Sequence, residues 1–270
     1  MKKYVQNLYF QPNIINIYKD LITDFFEPDH EVYKYHNVFS KVSSMAIGED
    51  CEKVQSFIKK DFLASLIEKN QKAKKVFLWL TRLNYKDPSI PEYKGADLFI
   101  KALESQIASL KNGELVVYMG NHGLDADDFM KFCKGFECSQ YINWVDHLDY
   151  SELVTYLAIP NAVLFTEFGD VNSSINGITR DGYAIGIPMV NSSKDEVMVA
   201  QYGAPGPRFF CQIVEEIENT MKYLLNLSNN DFEELRMKTL EYGNKYLDYK
   251  NYIPALIKLV KQSLNISINK

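Results

Sequence analysis

Short apolar runs alternate with amphipathic stretches from about residue 76 onward. The apolar runs are rich in β-branched and aromatic residues, which predicts buried strands over 76–81, 114–119, 140–144, 162–166 and 187–190. The stretches between them repeat apolar residues every three or four positions, which predicts helices over 95–111, 125–134, 150–157 and 175–185. Strands and helices that alternate on this scale form right-handed βαβ units. The pattern predicts an α/β fold, a Rossmann-like parallel sheet with helices on both faces.

The flanking segments predict further helices. Apolar residues at helical spacing predict a helix over Ile14–Phe26, and a short strand over Val38–Ile47 precedes a helix over 52–68. After the sheet, helices are expected over 208–226, 229–246 and 251–266. The chain therefore divides into a small N-terminal extension over 1–75, a Rossmann-like lobe over 76–247 and a C-terminal helical segment over 248–270.

Composition narrows the function classes. The 270 residues carry a formal net charge of −5, which argues against nucleic acid as the main partner. The Lys-rich run 69–75 is most simply a solvated link, with a small nucleic-acid patch as the alternative. No apolar run approaches the roughly 20 residues of a membrane span, and the N-terminus lacks the apolar core of a signal peptide. We expect a soluble, cytoplasmic protein, with peripheral attachment to a membrane surface left open.

The cysteines do not indicate a metal site. The four cysteines form no CxxC pair, and no histidines flank Cys133 and Cys138 at zinc-binding spacing. Buried free thiols are the better interpretation. Asp125, Asp127 and Asp128 resemble a metal-binding D-x-D, but acidic residues are also favoured at the start of a helix, which explains them better. We expect no metal and no cofactor.

The stretch 165–190 carries the strongest candidate chemistry. An apolar run ends in a Gly/Asn/Ser loop that leads into a helix, and ligands of parallel sheets bind at this end of the strands. Ser173, Ser174 and Asn176 suit a loop whose N–H groups bind a phosphate, and a helix N-terminus adds to this preference. Asp181 would then be placed to accept hydrogen bonds from sugar hydroxyls. The alternative is an ordinary strand-to-helix turn with a solvated aspartate.

Four motifs in order resemble one enzyme family. Asp181–Val190 (DGYAIGIPMV) resembles the E-A-M-A-x-G-x-P-V-V signature of family 4 (group 1) glycosyltransferases of the GT-B fold, in their C-terminal donor-binding lobe. Upstream, LTRL at 80–83 and KGADLFIKAL at 94–103 resemble the family's G-R-L and K-G-x-D-x-L-I-x-A. The strand and glycine loop at 116–123, and the strand and helix at 142–157, are similar to the family's next two units. Together the matches cover roughly residues 76–247.

The resemblance implies a glycosyltransferase that transfers a hexose-like sugar from a nucleotide-diphosphate sugar, with retention and without metal. Arg82 and Lys94 match the family's two cations, which stabilise the leaving diphosphate and are the implied catalytic residues. A surface lysine is the alternative for Lys94, because residues 84–93 lengthen the spacing to Arg82. An epimerase or a phosphatase-like Rossmann enzyme is a weaker alternative.

The resemblance also implies the donor-binding residues. Asp181 matches the second Glu of the family's E-x7-E motif, which binds the ribose. The first Glu aligns with Ser173, which departs from the pattern, and Glu167, Asp170 or Asn172 could replace it. The remaining matched positions are the phosphate-binding backbone, the glycine loop and the main chain beside the base: Ser174, Ile175, Asn176, Gly177, Asn121, Trp144 and Val145. A buried Trp144 that packs on the sheet is an equal alternative, and a surface loop position is the alternative for His122.

The acceptor side is the open part of the prediction. Family members have a second lobe that carries most of the acceptor site, whereas only about 75 residues precede the matched lobe here. By the resemblance, residues 1–75 are a partial or remnant acceptor side, and residues 248–270 are a helix that crosses back to it. A truncated chain, a partner chain or second copy that completes the cleft, and a catalytically silent nucleotide-binding or protein-interaction module remain the alternatives. The acceptor, whether glycan, lipid or protein, is not indicated.

Overall fold

The computed structural model describes residues 50–88, 93–168, 177–192, 206–248, 250–251 and 254. All but the last of these lie in one compact unit, Ala46–Tyr252. The remaining unit, Met1–Met45 with Ile253–Lys270, is otherwise outside the described residues. The predicted helix Ile14–Phe26, the predicted strand Val38–Ile47 and most of the predicted helix 251–266 are therefore outside them as well.

Six parallel strands form a single sheet in the described chain. Their order is β3-β2-β1-β4-β5-β6, and their bounds are β1 Lys75–Trp79, β2 Leu115–Gly120, β3 Ile142–Val145, β4 Ala162–Phe165, β5 Met189–Asn191 and β6 Phe209–Phe210. The strand order reverses direction between β1 and β4, which pair with Leu78 beside Leu164. In doubly wound sheets a ligand crevice lies at this switch point, beyond the carboxyl ends of the strands. The α/β prediction is confirmed.

Helices connect and cover the strands. Their bounds are α1 Cys51–Ser56, α2 Lys60–Lys69, α3 Ala96–Leu103, α4 Ile107–Lys111, α5 Ala126–Cys133, α6 Tyr150–Leu157, α7 Gly177–Ile185, α8 Val214–Asn226 and α9 Asn229–Tyr242. A 3-10 turn, Glu104–Gln106, separates α3 from α4, another at Glu137–Tyr141 precedes β3, and a π turn at Gly243–Leu247 follows α9.

The helix predicted over 52–68 is two helices. Asp50 caps α1, because its carboxylate accepts the Lys53 amide at 3.0 Å. The chain then leaves the helical path, and the amide of Lys59 donates to the Thr155 hydroxyl of α6 at 2.9 Å. This contact spans 96 residues of sequence. Tertiary contact has therefore overridden a continuous local pattern.

The strand β6 corrects a second prediction. Residues 208–226 were predicted as one helix, but Phe209–Phe210 pairs in parallel with β5 and α8 begins only at Val214. Two aromatic residues are too few to show an alternating pattern. The backbone of Cys211 extends the pairing, since its amide donates to the Asn191 carbonyl at 3.0 Å.

The two faces of the sheet build two apolar clusters. Phe77 and Trp79 of β1 point to one face, which packs against α3, α5 and α8, whereas Val76 and Leu78 point to the other, which packs against α1, α2, α6 and α7. Alternation of this kind is the period of a strand whose two sides are both buried. All four cysteines are buried and free, as predicted. Within the described residues, no helix is long and apolar enough to cross a membrane.

Candidate functional site

Three loops meet at the carboxyl end of the sheet, and backbone hydrogen bonds join them. The amide of Leu83, after β1, donates to the carbonyl of His122, after β2, at 2.7 Å. The amide of Asn121 donates to the Val145 carbonyl at the end of β3, also at 2.7 Å. The connected loops place the side chains that follow β1, β2 and β3 along one edge, next to the switch point.

A buried ion pair crosses the switch point. The ammonium of Lys94, in the loop after β1, lies 2.6 Å from Oε1 of Glu167, which follows β4. Their side chains are 12% and 2% exposed. At this separation and burial the pair forms a strong charge-assisted hydrogen bond. The structure therefore brings together Lys94 and Glu167, one of the three residues that were considered as replacements for the missing motif glutamate.

The backbone fixes both members of this pair. The Phe168 amide donates to the Lys94 carbonyl at 2.9 Å, and the Glu167 carbonyl accepts both the Ser192 amide at 3.0 Å and its hydroxyl at 2.8 Å. Glu167 has φ 54°, which is unusual for a residue with a side chain. Strained backbone conformations of this kind are concentrated at functional sites.

Gly95 brings the loop after β1 against the loop after β4. Its φ is +72°, and an added Cβ would overlap the Phe168 carbonyl. Glycine meets both requirements, because it has no Cβ and adopts positive φ at little cost. The glycine of the K-G-x-D motif therefore has a packing role next to Lys94.

Asn84 links the same loop to the glycine loop after β2. Its carbonyl accepts the Lys94 amide at 2.8 Å, and its side-chain Oδ1 accepts the Leu124 amide at 3.0 Å. Because Oδ1 faces an N–H donor, the other side-chain atom must be Nδ2, a donor. Asn84 is 3% exposed. It positions Lys94, and the sequence patterns did not single it out.

Among the buried polar atoms that have no hydrogen-bond partner within the described part of the chain, four lie in the loops that follow the strands at this end of the sheet. They are Thr81 Oγ1, Asn84 Nδ2, His122 Nδ1 and Glu167 Oε2. Buried polar groups are nearly always hydrogen-bonded, because an unsatisfied one costs about 1–3 kcal/mol. Donors and acceptors are both present in this group. The arrangement suits a ligand that carries hydroxyl and anionic oxygen atoms.

Arg82 lies at the exposed mouth of this region. Its carbonyl accepts the Asn84 amide at 3.1 Å, and its side chain is exposed.

Burial lowers the pKa of His122, and repulsion from His147 and Arg82 lowers it further. The loops after β1, β2 and β3 thus bring Arg82, His122 and His147 to this edge.

Asp181 lies inside the chain rather than at its surface. It is 6% exposed, and its Oδ1 accepts the Tyr150 hydroxyl at 2.7 Å. Burial raises the pKa of Asp181, with smaller opposing contributions from the Tyr150 hydrogen bond and the charge of Arg180. Its predicted alternative, a solvated aspartate, is wrong. Its role in holding a ribose stays a prediction.

The other predicted site residues lie in several environments. Asn121 and Val145 are half-buried and joined by the bond described above, and Trp144 is half-buried with its ring 6.4 Å from that of Phe129. Gly177 is exposed and begins α7. The remaining positions, Ser173, Ser174, Ile175 and Asn176, are outside the described residues. In the part of the chain that the structure describes, no group of three His, Cys, Asp or Glu side chains could hold a metal ion. The D-x-D segment begins α5, as expected.

Comparison with known proteins identifies the fold. No protein-family model matches the chain, and no curated protein matches it. Among solved structures it is similar to a glycosyltransferase from Rickettsia africae ESF-5, with a TM-score of 0.60 and 12% identity over 82% of this chain and 57% of that one. A trehalose-6-phosphate structure from E. coli with UDP-2-fluoro glucose bound has a TM-score of 0.59 and 12% identity, over 82% of this chain and 51% of that one. Anabaena HepE in complex with UDP and glucose has a TM-score of 0.55 and 10% identity, over 81% of this chain and 54% of that one.

These similarities show a GT-B lobe. The parallel six-stranded sheet and its helices match one Rossmann-like lobe of GT-B glycosyltransferases. This confirms the predicted fold class. The chain spans about half the length of these structures.

Proposed function

We propose that this chain binds a nucleotide-diphosphate sugar at the switch point and acts in glycosyl transfer. The observation that carries the proposal is the group of unpartnered buried atoms at Thr81, Asn84, His122 and Glu167, beside the cations Lys94 and Arg82. Such a group suits a polar ligand, and the crevice at a switch point is where doubly wound sheets bind one. Structural neighbours bound to UDP and UDP-2-fluoro glucose support the choice of ligand.

In this proposal the cations act on the leaving group. Negative charge grows on the diphosphate as the glycosidic bond breaks, so fixed positive charges stabilise the transition state more than the ground state. Arg82 and Lys94 take this role, with Asn84 Nδ2 as a neutral donor beside them. The loop at 173–177 supplies backbone N–H groups, and Asp181 with the main chain of Trp144 and Val145 holds the nucleoside. Asn121 lines the same edge.

The finer chemistry follows the resemblance to family 4 glycosyltransferases. It comprises transfer of a hexose-like sugar with retention, without a metal or cofactor, to a glycan, lipid or protein acceptor. A partner chain or a second copy would complete the acceptor side. A cytoplasmic location agrees with a nucleotide-sugar donor.

A silent nucleotide-binding module is the second candidate. Two of the groups assigned to the donor already have partners inside the chain, Lys94 with Glu167 and Asp181 with Tyr150. A donor contact at either group would compete with that partner. A lobe that binds nucleotide without turnover would be compatible with this arrangement.

Calorimetric titration with UDP, GDP and ADP tests the proposal. We expect one of the three to bind with 1:1 stoichiometry, and Arg82→Ala to weaken that binding by about tenfold, as expected for loss of one charge-assisted contact. Hydrolysis and transfer assays with the matching nucleotide sugars then separate the candidates, because turnover supports the transferase and binding without turnover supports the silent module. Absence of binding by all three nucleotides would contradict both.

A further inference from the structure

We propose that Glu167 masks Lys94, so that an anionic ligand at the switch point must displace this carboxylate before it can use the lysine. The inference rests on the proposed function, because it concerns the same site. It adds a control on affinity that the chain's own side chains provide. The masking group is the Glu167 carboxylate, and the group that it masks is the Lys94 ammonium.

The geometry shows that Lys94 is not a free cation. Its Nζ is 2.6 Å from Glu167 Oε1, and no other carboxylate in the described residues lies within ion-pairing distance of it. Two opposite charges at this separation largely cancel at the distance of a bound ligand. A phosphate that approaches the site therefore meets a neutral pair rather than a positive charge.

The backbone of Glu167 is held in place, and its carboxylate has little access to solvent. Its backbone is held by two bonds from Ser192 and lies next to Phe168, whose amide is bonded to the Lys94 carbonyl. Its side chain is 2% exposed, and Oε2 has no hydrogen-bond partner among the described residues even while the pair is intact. If Lys94 turns toward a phosphate, the buried carboxylate is left with no partner among the described residues.

A ligand must therefore offset the cost of an unpaired buried charge. Breaking one side of a buried ion pair is costly for this reason. Replacement of Glu167 by glutamine removes that cost, because the amide has nearly the same size and shape and no charge. Lys94 is then available to the ligand from the start, and nucleotide affinity should rise rather than fall.

The experiment compares four proteins by calorimetric titration of the full chain with UDP, GDP and ADP. For the nucleotide that binds most tightly, we expect Glu167→Gln to bind about tenfold more tightly than the wild type. Asp97→Asn is the matched control, because its carboxylate accepts hydrogen bonds from the Tyr93 hydroxyl and from Lys101 of the same helix, and not from Lys94. That variant removes one negative charge nearby and should change affinity by less than about twofold. The fourth protein, Lys94→Met/Glu167→Gln, should lose the gain.

The outcomes separate the two proposals. If the wild type binds a nucleotide and Glu167→Gln binds no more tightly, or if the gain persists without Lys94, the masking proposal is wrong and the proposed function stands. If neither the wild type nor Glu167→Gln binds any of the three, both fail. Cooperative thermal unfolding of each variant verifies that it is folded. The double variant keeps the pair neutral and so avoids the unpaired charge of a single Lys94 substitution.

Discussion

Two lysines with little exposure to solvent lie at opposite ends of this sheet and are stabilised in different ways. Lys75 begins β1 at the amino end, is 2% exposed, and holds its ammonium 4.6 Å from the centre of the Phe232 ring. No carboxylate in the described residues forms an ion pair with it, and burial lowers its pKa. Lys94, at the carboxyl end, is instead paired with the buried Glu167.

The difference indicates which end of the sheet is built for a ligand. At the amino end an aromatic face covers the lysine, and a cation over a ring is attracted to the negative face of that ring. At the carboxyl end the pair leaves Glu167 Oε2 unsatisfied, and Thr81, Asn84 and His122 add further unsatisfied atoms. Buried polar atoms without hydrogen-bond partners are expected at one end of a fold where a ligand supplies the missing hydrogen bonds. The predictions below test this contrast, from the largest effect to the smallest.

Two glycines with nearly equal φ angles separate packing from backbone strain. Gly95, at the carboxyl end, has φ +72° and no room for a Cβ against Phe168, whereas Gly113, before β2, has φ +71° and nothing within 4 Å. We expect Gly113→Ala to cost about 1 kcal/mol through strain alone. Gly95→Ala should cost about 3 kcal/mol or more, because a backbone overlap is added. Urea unfolding of both variants measures the difference, and equal losses would show that the two loops are not held in contact.

Methionine at each lysine position tests how the charges are stabilised. Lys94→Met leaves the buried Glu167 carboxylate without its partner, and we expect it to lower the free energy of unfolding by about 2–4 kcal/mol. Lys75→Met replaces a buried charge by an apolar chain of similar length. Its effect should stay within about 1 kcal/mol of the wild type or be stabilising. Denaturant unfolding at pH 7 measures both variants, and a larger loss for Lys75→Met would reverse the comparison.

Asp181 gives the smallest predicted effect, and that effect depends on pH. Burial raises the pKa of Asp181 in the folded chain. As pH rises, the unfolded chain therefore ionises this group at a lower pH than the folded chain does. The wild type should lose stability from about pH 4 upward through the raised pKa, and Asp181→Asn should not lose this part. The amide can still accept the Tyr150 hydroxyl. We expect the variant to gain stability relative to the wild type between pH 4 and pH 7, by less than the losses expected for Gly95→Ala and Lys94→Met.

Urea unfolding at the two pH values measures this gain. Tyr150→Phe is the control, because it removes the hydrogen bond to Asp181 and keeps the carboxylate. If the stability difference between Asp181→Asn and the wild type does not change with pH, burial does not raise the pKa of the Asp181 carboxyl.

Sequence patterns located the sheet but not its connections. The strands over 76–81, 114–119 and 162–166 were predicted to within two residues, because each is a run of apolar residues buried on both faces. The strand β6 was missed because two aromatic residues carry no period. The break at Phe57–Lys59 was missed because its cause, Thr155, lies far along the chain.

The candidate site was predictable only one strand end at a time. The motifs placed Arg82 and Lys94 after β1 and the glycine loop after β2, since such positions follow directly from strand ends. The Lys94–Glu167 contact spans 73 residues, and the Tyr150–Asp181 contact spans 31. No local pattern encodes which side chains meet across a switch point. The predicted roles of Asn121, Trp144, Val145 and residues 173–177 stay predictions.

A crystal structure of the chain with its tightest-binding nucleotide diphosphate tests the central claim most directly. We predict that the diphosphate lies beyond the carboxyl ends of β1 and β4, with Arg82 and Lys94 on its oxygen atoms and the Lys94 ammonium separated from Glu167. A nucleotide bound elsewhere, or Lys94 still paired with Glu167 while Arg82 points away, would contradict the account.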